Sequence, residues 1–167
     1  MKYKVTNKQY TSKHCFVCGE ENKSGLKARF YELENGEVAA IFTAAAEHCG
    51  YPGRLHGGVA SAIVDETIGR AIAIIEPNTF SVTLELTVQF KKPVPLGKEL
   101  KVIGRVISDN GRVYEGTAEL LLENGEPAVT GWAKYLKMPI EKIAKTDNID
   151  DELLRTAHPN DLIEIDI

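Results

Sequence analysis

The chain has 167 residues and a mass of 18.4 kDa, about the size of one globular domain and too short for two full-sized ones. Its 20 basic and 24 acidic side chains give a net charge of −4, so no overall basic field points to a nucleic-acid partner. No apolar run reaches the roughly 20 residues of a membrane span, and the N-terminus lacks the apolar core of a secretory signal. The three cysteines fit a reducing compartment. These features predict a cytoplasmic protein with no nucleic-acid and no membrane partner.

Apolar residues that alternate with polar ones predict six strands. The first two, 26–33 and 37–43, flank an Asn-Gly dipeptide that favours a tight hairpin. The other four lie at 81–90, 99–108, 113–123 and 128–137. Two further Asn-Gly pairs separate the last three strands and predict an antiparallel meander.

One helix is predicted between these regions, from Gly57 to about Ile75, and it is apolar nearly all the way round. A helix without a polar face must be buried. Its exceptions, Asp65, Glu66 and Arg70, therefore need a partner or a wet cavity, because an unpaired buried charge costs several kcal/mol. Two strands, a buried helix and four more strands predict the α+β class, with one sheet wrapped around a central helix.

The two ends of the chain carry weaker signals. Residues 1–13 are expected to be an N-terminal extension and 139–167 an acidic tail, while 14–138 form the main domain. From residue 141 onward the tail has eight acidic and three basic side chains, and 150–155 predict a short helix. We expect the tail to be an appendage.

Three segments together resemble one family. The stretch LHGGVASAIVDE (55–66), the lead-in HCFVCG (14–19) with SGL (24–26), and TVQFKKP (87–93) resemble hot-dog-fold acyl-CoA thioesterases of the phenylacetic-acid-pathway, or PaaI-like, type. The resemblance covers about 14–138. It implies a hot-dog fold of about six strands around one helix, hydrolysis of an acyl-CoA without cofactor or metal, and a homodimer or dimer of dimers.

The start of the helix suits thioester chemistry on physical grounds. The first N–H groups of a helix have no intrahelical partner and lie at the positive end of its dipole, where they can bind an oxyanion. Gly57 and Gly58 leave room for the substrate to approach. Asp65 lies about 12 Å further along the helix, too far to act on the same carbonyl within one chain.

The family resemblance implies that Asp65 of one subunit faces the Gly57 N–H of another. Asp65 would then be the general base for water or a nucleophile that forms a mixed anhydride. His56 would orient the loop or the thioester, and the hydroxyl of Thr83 would lie near the attacking water.

Substrate contacts are predicted around this centre. Relatives often have Asn or Gln where this chain has Gly50, so Glu47 or His48 is the candidate for that polar role. An acyl tunnel between subunits is expected to be lined by Val59, Ile63 and the loop 47–55. The candidate cations for the CoA phosphates, which could equally be solvated edge charges, are Lys91, Lys92 and Arg112.

Structural interpretations compete with these roles. Asp65 could be a buried carboxylate paired with Arg70 or capped by hydroxyls, and Glu66 is expected to form an i,i+4 pair with Arg70. Cys15 and Cys18 have zinc-ligand spacing, but too few further ligands, and are expected to anchor the N-terminal segment. Two other functions also fit: an acyl-CoA binder without hydrolysis, and a hot-dog hydratase or dehydratase.

Overall fold

The computed structural model describes all residues, 1–167. The elements are β1 (Lys2–Lys8), β2 (Thr11–Ser12), β3 (Arg29–Leu33), β4 (Val38–Thr43), α1 (Gly57–Arg70), α2 (Ile72–Ile75), β5 (Ser81–Phe90), β6 (Glu99–Asp109), β7 (Val113–Leu121), β8 (Pro127–Lys137), α3 (Ile140–Ile143), β9 (Leu153–Leu154) and β10 (Glu164–Asp166). Eight of the strands form one antiparallel sheet in the order β10-β1-β3-β4-β6-β7-β8-β5, and β2 pairs with β9 in a separate ribbon. The α+β class is confirmed, and the sheet has more strands than the six predicted.

All six predicted strands are present, and β6, β7 and β8 form the expected meander. The strand that precedes them in the chain, β5, pairs with β8 and lies at the end of the sheet. The bulge between Thr83 and Glu85 leaves Leu84 without a partner in β8, and this side chain is 53% exposed.

A row of small residues brings α1 close to the sheet. Gly104 of β6, Ala118 of β7 and Gly131 of β8 are direct neighbours in the pairing register. A Cβ on Gly104 would lie 2.9 Å from the main-chain oxygen of Thr67, and one on Gly131 would clash with Val64. The helix can therefore pack on the meander with Ile63, Val64 and Ile68 fully buried.

The predicted helix 57–75 is interrupted once. α1 ends at Arg70, and the N–H of Ala71 bonds to the carbonyl of Ile68, which tightens this turn before α2 begins. None of the helices is both long and apolar enough to cross a membrane.

Both ends of the chain are built into the sheet, contrary to the expected extension and appendage. β1 pairs with β3 on one side and with β10 on the other. Ile165 of β10 is buried in a second apolar cluster on the sheet, and Lys8 forms a 2.7 Å ion pair with Asp161. The helix predicted at 150–155 is wrong, because this segment forms a 3-10 turn, Ile149–Asp151, followed by β9.

We expect Gly104→Val to lower the free energy of unfolding by about 1–3 kcal/mol, since its side chain would push α1 off the sheet. Urea denaturation measures the change. Ser108→Val is the matched control, because Ser108 is an exposed residue of the same strand. Equal stability of the two variants would contradict the close contact between helix and sheet.

Candidate functional site

Asp65 is held by hydroxyl groups. The Thr83 hydroxyl lies 3.0 Å from Oδ1 of Asp65, and the Tyr135 hydroxyl lies 2.7 Å from the same oxygen and 2.8 Å from the main-chain carbonyl of Asp65. No basic side chain forms a salt bridge with this carboxylate. The alternative that Asp65 is paired with Arg70 is therefore wrong, since Arg70 bonds instead to Glu66.

Two stacked tyrosines support this contact. The rings of Tyr114 and Tyr135 lie 5.0 Å apart and nearly parallel. The Tyr114 hydroxyl donates to the carbonyl of Gly69 at 2.7 Å and lies 2.6 Å from the hydroxyl of Ser81. Burial raises the pKa of both phenols above its ordinary value, and the Asp65 charge raises it further. Both tyrosines thus remain protonated donors at neutral pH.

Tyr135 was not among the predicted site residues. The alternation along 128–137 indicates which side chains point inward, but not which of them reaches the helix. Its contact with Asp65 depends on the height of α1 above the sheet.

The Asp65 carboxylate faces a cleft of about 370 Å³. One wall is α1, another is the start of β5 with the turn before it, and a third comes from β1 and the residues after it. Most of the lining residues are polar; they include Asn7, Gln9, Glu32, Asn78, Thr79 and Arg155. The cleft therefore leaves Asp65 accessible to solvent.

The helix start leaves one amide free. His56 is the N-cap, and its Nδ1 accepts the Gly58 N–H at 2.9 Å, which places the proton of the neutral ring on Nε2. The carbonyl of His56 accepts the N–H groups of Val59 and Ala60. The Gly57 N–H has no acceptor within the chain. His56 therefore shapes the first turn so that the Gly57 N–H is the donor of this turn that remains available.

Within one chain the two halves of the predicted centre lie apart. α1 runs antiparallel to β5, so Gly57 lies beside Phe90 at the end of the strand, whereas Asp65 lies beside Thr83 near its start. A Cβ on Gly57 would be 3.4 Å from the Phe90 ring. Eight residues of helix separate Gly57 from Asp65 by about 12 Å.

Two predicted substrate contacts are contradicted. His48 is buried; its Nδ1 accepts the Ala45 N–H at 2.9 Å and its Nε2 lies 2.8 Å from the carbonyl of Ser24, so neither nitrogen is free for a substrate. Ile63 is fully buried in the main core because its side chain faces the sheet. Glu47 is exposed and Val59 is half-buried, so both can still be reached.

The three predicted phosphate-binding cations do not form one cluster. Lys91 and Lys92 follow the end of β5, near Gly57, and Lys92 forms a 2.7 Å ion pair with Glu126. Arg112 lies in the turn between β6 and β7, near the start of β5. The length of β5, roughly 30 Å, therefore separates Arg112 from the lysines of the same chain.

Arg70 organises the other side of α1. Its guanidinium donates to Glu66 and to the carbonyl of Tyr10, both at 2.9 Å, and lies over the rings of Tyr10 and Phe30. The expected Glu66–Arg70 pair is thus present. The donor atoms of Cys15, Cys18 and Glu66 lie within 4.8 Å of one another. These three groups, with the Arg70 cation already against them, are fewer than the four of a structural zinc site.

Part of the sequence is similar to a known protein family and to two fungal proteins. Residues 52–128, which include Gly57 and Asp65, match the family model described as Thioesterase superfamily. An uncharacterised protein of Schizosaccharomyces pombe is 26% identical over 137 residues, covering 74% of this chain and 78% of its own length. An uncharacterised mitochondrial protein of Candida albicans is 29% identical over 94 residues, which are 55% of this chain and 42% of that protein.

Solved structures show the same fold. A thioesterase superfamily protein has a TM-score of 0.68 at 26% identity, over 74% of this chain and 60% of its own. The PaaI protein of the Escherichia coli phenylacetic acid degradation operon has a TM-score of 0.62 at 16% identity, and the match covers 68% of this chain and 81% of that protein. A Streptococcus mutans protein bound to acetyl-CoA has a TM-score of 0.56 at 19% identity, and the match covers 62% of this chain and 82% of that protein. The predicted hot-dog fold is therefore confirmed, and residues 52–128 are similar to the thioesterase superfamily.

We expect Tyr135→Phe to lower the free energy of unfolding by about 0.5–1.5 kcal/mol, because the carboxylate and carbonyl of Asp65 lose a buried donor. Urea denaturation measures the loss. Tyr51→Phe is the control, since Tyr51 is 83% exposed. Equal stability of both variants would remove Tyr135 as a support of Asp65.

Proposed function

We propose that the protein hydrolyses an acyl-CoA thioester to a free acid and CoA. The observation that carries the proposal is the Asp65 carboxylate, which faces an open cleft without a cationic partner and is oriented by Thr83 and Tyr135. The thioesterase-superfamily match and the acetyl-CoA-bound neighbour support a CoA thioester as the substrate.

In the proposed reaction the Gly57 N–H donates to the thioester oxygen as it gains negative charge. In known enzymes, removal of one such donor costs about 3–4 kcal/mol of transition-state stabilisation. Asp65 either takes a proton from the attacking water or attacks the carbonyl carbon itself and forms an anhydride that water then cleaves. In both routes the C–S bond breaks and CoA leaves as its thiol.

The outer edge of β5 supports assembly of the complete centre from two subunits. This edge has no partner strand, and Leu84 and Phe90 on it are 53% and 57% exposed. We infer that two copies of β5 pair antiparallel about a two-fold axis at Thr87, so that directly opposite residues point to the same face of the sheet. Because Leu84 is the extra residue of the bulge, that register puts Thr83 of one strand opposite Phe90 of the other. Asp65, beside Thr83, then approaches Gly57 of the partner, beside Phe90.

The proposed pairing also determines where the predicted phosphate-binding cations would lie relative to the reaction centre. Lys91, at the Gly57 end of β5, is free to meet a CoA phosphate, whereas Lys92 must first leave Glu126. The Arg112 turn of one subunit comes toward the Lys91 end of the other, so Arg112 could contribute only across the dimer. A dimer or dimer of dimers without cofactor, in the cytoplasm, remains part of the proposal.

We expect Asp65→Asn to lower turnover by at least about a hundredfold, the range of acid–base groups, while acyl-CoA binding persists. The measurement is release of free CoA thiol from short, aromatic and long acyl-CoAs, with calorimetric binding alongside. Glu85→Gln, an exposed acid on β5, is the matched control. Unchanged turnover would exclude Asp65 from the mechanism, and binding without thiol release by the native protein would identify a non-hydrolytic binder.

Mixed dimers test the shared centre. Gly57→Pro removes the amide donor at a helix position that accepts proline, and Asp65→Asn removes the carboxylate. Each variant alone should be inactive, yet a refolded equal mixture should recover about a quarter of native activity, since half of the dimers then hold one intact centre of two. No recovery despite heterodimer formation, verified by native mass spectrometry, would show that each centre lies within one chain.

A further inference from the structure

A pair of cysteines lies behind α1, outside the proposed reaction centre. Cys15 and Cys18 are in the turn that follows β2, and the N–H of Gly19 closes this turn on the carbonyl of Cys15 at 2.9 Å. The sulfur of Cys15 accepts the N–H groups of Val17 at 3.3 Å and Cys18 at 3.4 Å. Main-chain donors therefore already converge on one sulfur.

The second sulfur has a different environment. Cys18 is buried, and its sulfur accepts the Ser12 N–H at 3.3 Å and an Arg70 N–H at 3.2 Å. The two sulfurs lie within 4.8 Å of each other. Hydrogen bonding between the two thiol groups lowers the pKa of Cys15 to about 6 against the opposing effects of burial and of Glu66, and it raises the pKa of Cys18. These opposite shifts make Cys15 the nucleophile of the pair.

The surroundings favour thiol exchange over metal binding. Only Glu66 joins the two sulfurs as a third donor, and its carboxylate already accepts from Arg70. The Arg70 guanidinium, buried and in contact with Cys18, supplies the positive charge that a metal ion would otherwise bring. Cys15 is half-buried, so a small reagent can approach it, whereas Cys18 is reached from Cys15.

We propose that Cys15 and Cys18 are a reversible dithiol–disulfide site whose oxidant is a low-molecular-weight disulfide. The Cys15 thiolate attacks one sulfur of the oxidant, forms a mixed disulfide and releases one thiolate. Cys18 passes its proton to that thiolate or to solvent, attacks the Cys15 sulfur and releases the second thiolate. The chain loses two electrons in forming the Cys15–Cys18 bond, and the oxidant is reduced to two thiols.

The full chain equilibrated in buffers of reduced and oxidised glutathione tests the site. Alkylation followed by mass spectrometry should show a species lighter by two hydrogens, with only Cys49 labelled, and dithiothreitol should reverse it. Cys49→Ser should form the same disulfide, because Cys49 is exposed and outside the cluster. Cys18→Ser should retain glutathione on Cys15, whereas Cys15→Ser should carry none on Cys18.

In reduced Cys49→Ser, the rate of alkylation of Cys15 should increase as the pH is raised, with a midpoint at about pH 6. The titratable groups near the cysteine pair are Tyr10 from the N-terminal segment and Glu66 and Arg70 from α1. Native protein that keeps three free thiols in fully oxidised glutathione would overturn the proposal. So would stoichiometric zinc that blocks both cysteines in the purified protein. The native-protein measurement decides the matter even where a serine variant fails to fold.

Discussion

The close approach of α1 to β6, β7 and β8 determines where every group of the candidate site lies. It depends on Gly104, Ala118 and Gly131, whose missing or small side chains let the helix rest almost on the strand backbone. At this height the hydroxyl of Tyr135 on the sheet reaches the Asp65 carboxylate. Larger residues in the row would lift the helix beyond hydrogen-bond reach. The same contact that buries the core therefore positions the carboxylate.

Two adjacent carboxylates on α1 have different environments because consecutive helix residues point about 100° apart. Glu66 turns toward Arg70 and forms an ion pair at 2.9 Å, backed by the Tyr10 and Phe30 rings. Asp65 turns toward β5 and β8 and receives hydroxyl donors without a countercharge. A hydroxyl fixes the direction of a carboxylate without a permanent cation that would compete with a substrate. This difference favours Asp65 over Glu66 as the reactive group.

The sequence predicted the elements well where local patterns specify them, as in the Asn-Gly hairpins and the glycine-started helix. It did not predict β1 and β10, because their pairing joins the two ends of the chain and has no local signal. A helix that is apolar all round gives no sign of which face meets the sheet, so Ile63 was placed in the tunnel instead of the core. His48 was misassigned for a similar reason, since only its buried contacts with Ala45 and Ser24 reveal that both ring nitrogens are used. The distance between Arg112 and Lys91 could have been predicted from the sequence. Lys91 follows the C-terminal end of β5 and Arg112 that of β6, and because these strands run in opposite directions, the two residues lie at opposite ends of the sheet.

The position of β5 at the edge of the sheet links the proposed chemistry to assembly. One chain carries a free amide at one end of this strand and a hydroxyl-bound carboxylate near the other, about 12 Å apart along α1. In the proposed dimer, a two-fold axis at the centre of β5 exchanges these ends, so a separation within each subunit becomes proximity between subunits. Because the symmetry acts on both strands, each such dimer would gain two centres from one interface. A monomer would keep the fold and both halves of the site, but it would not bring the Gly57 amide and the Asp65 carboxylate together. The pairing of β5 should therefore control activity without any change within the subunit.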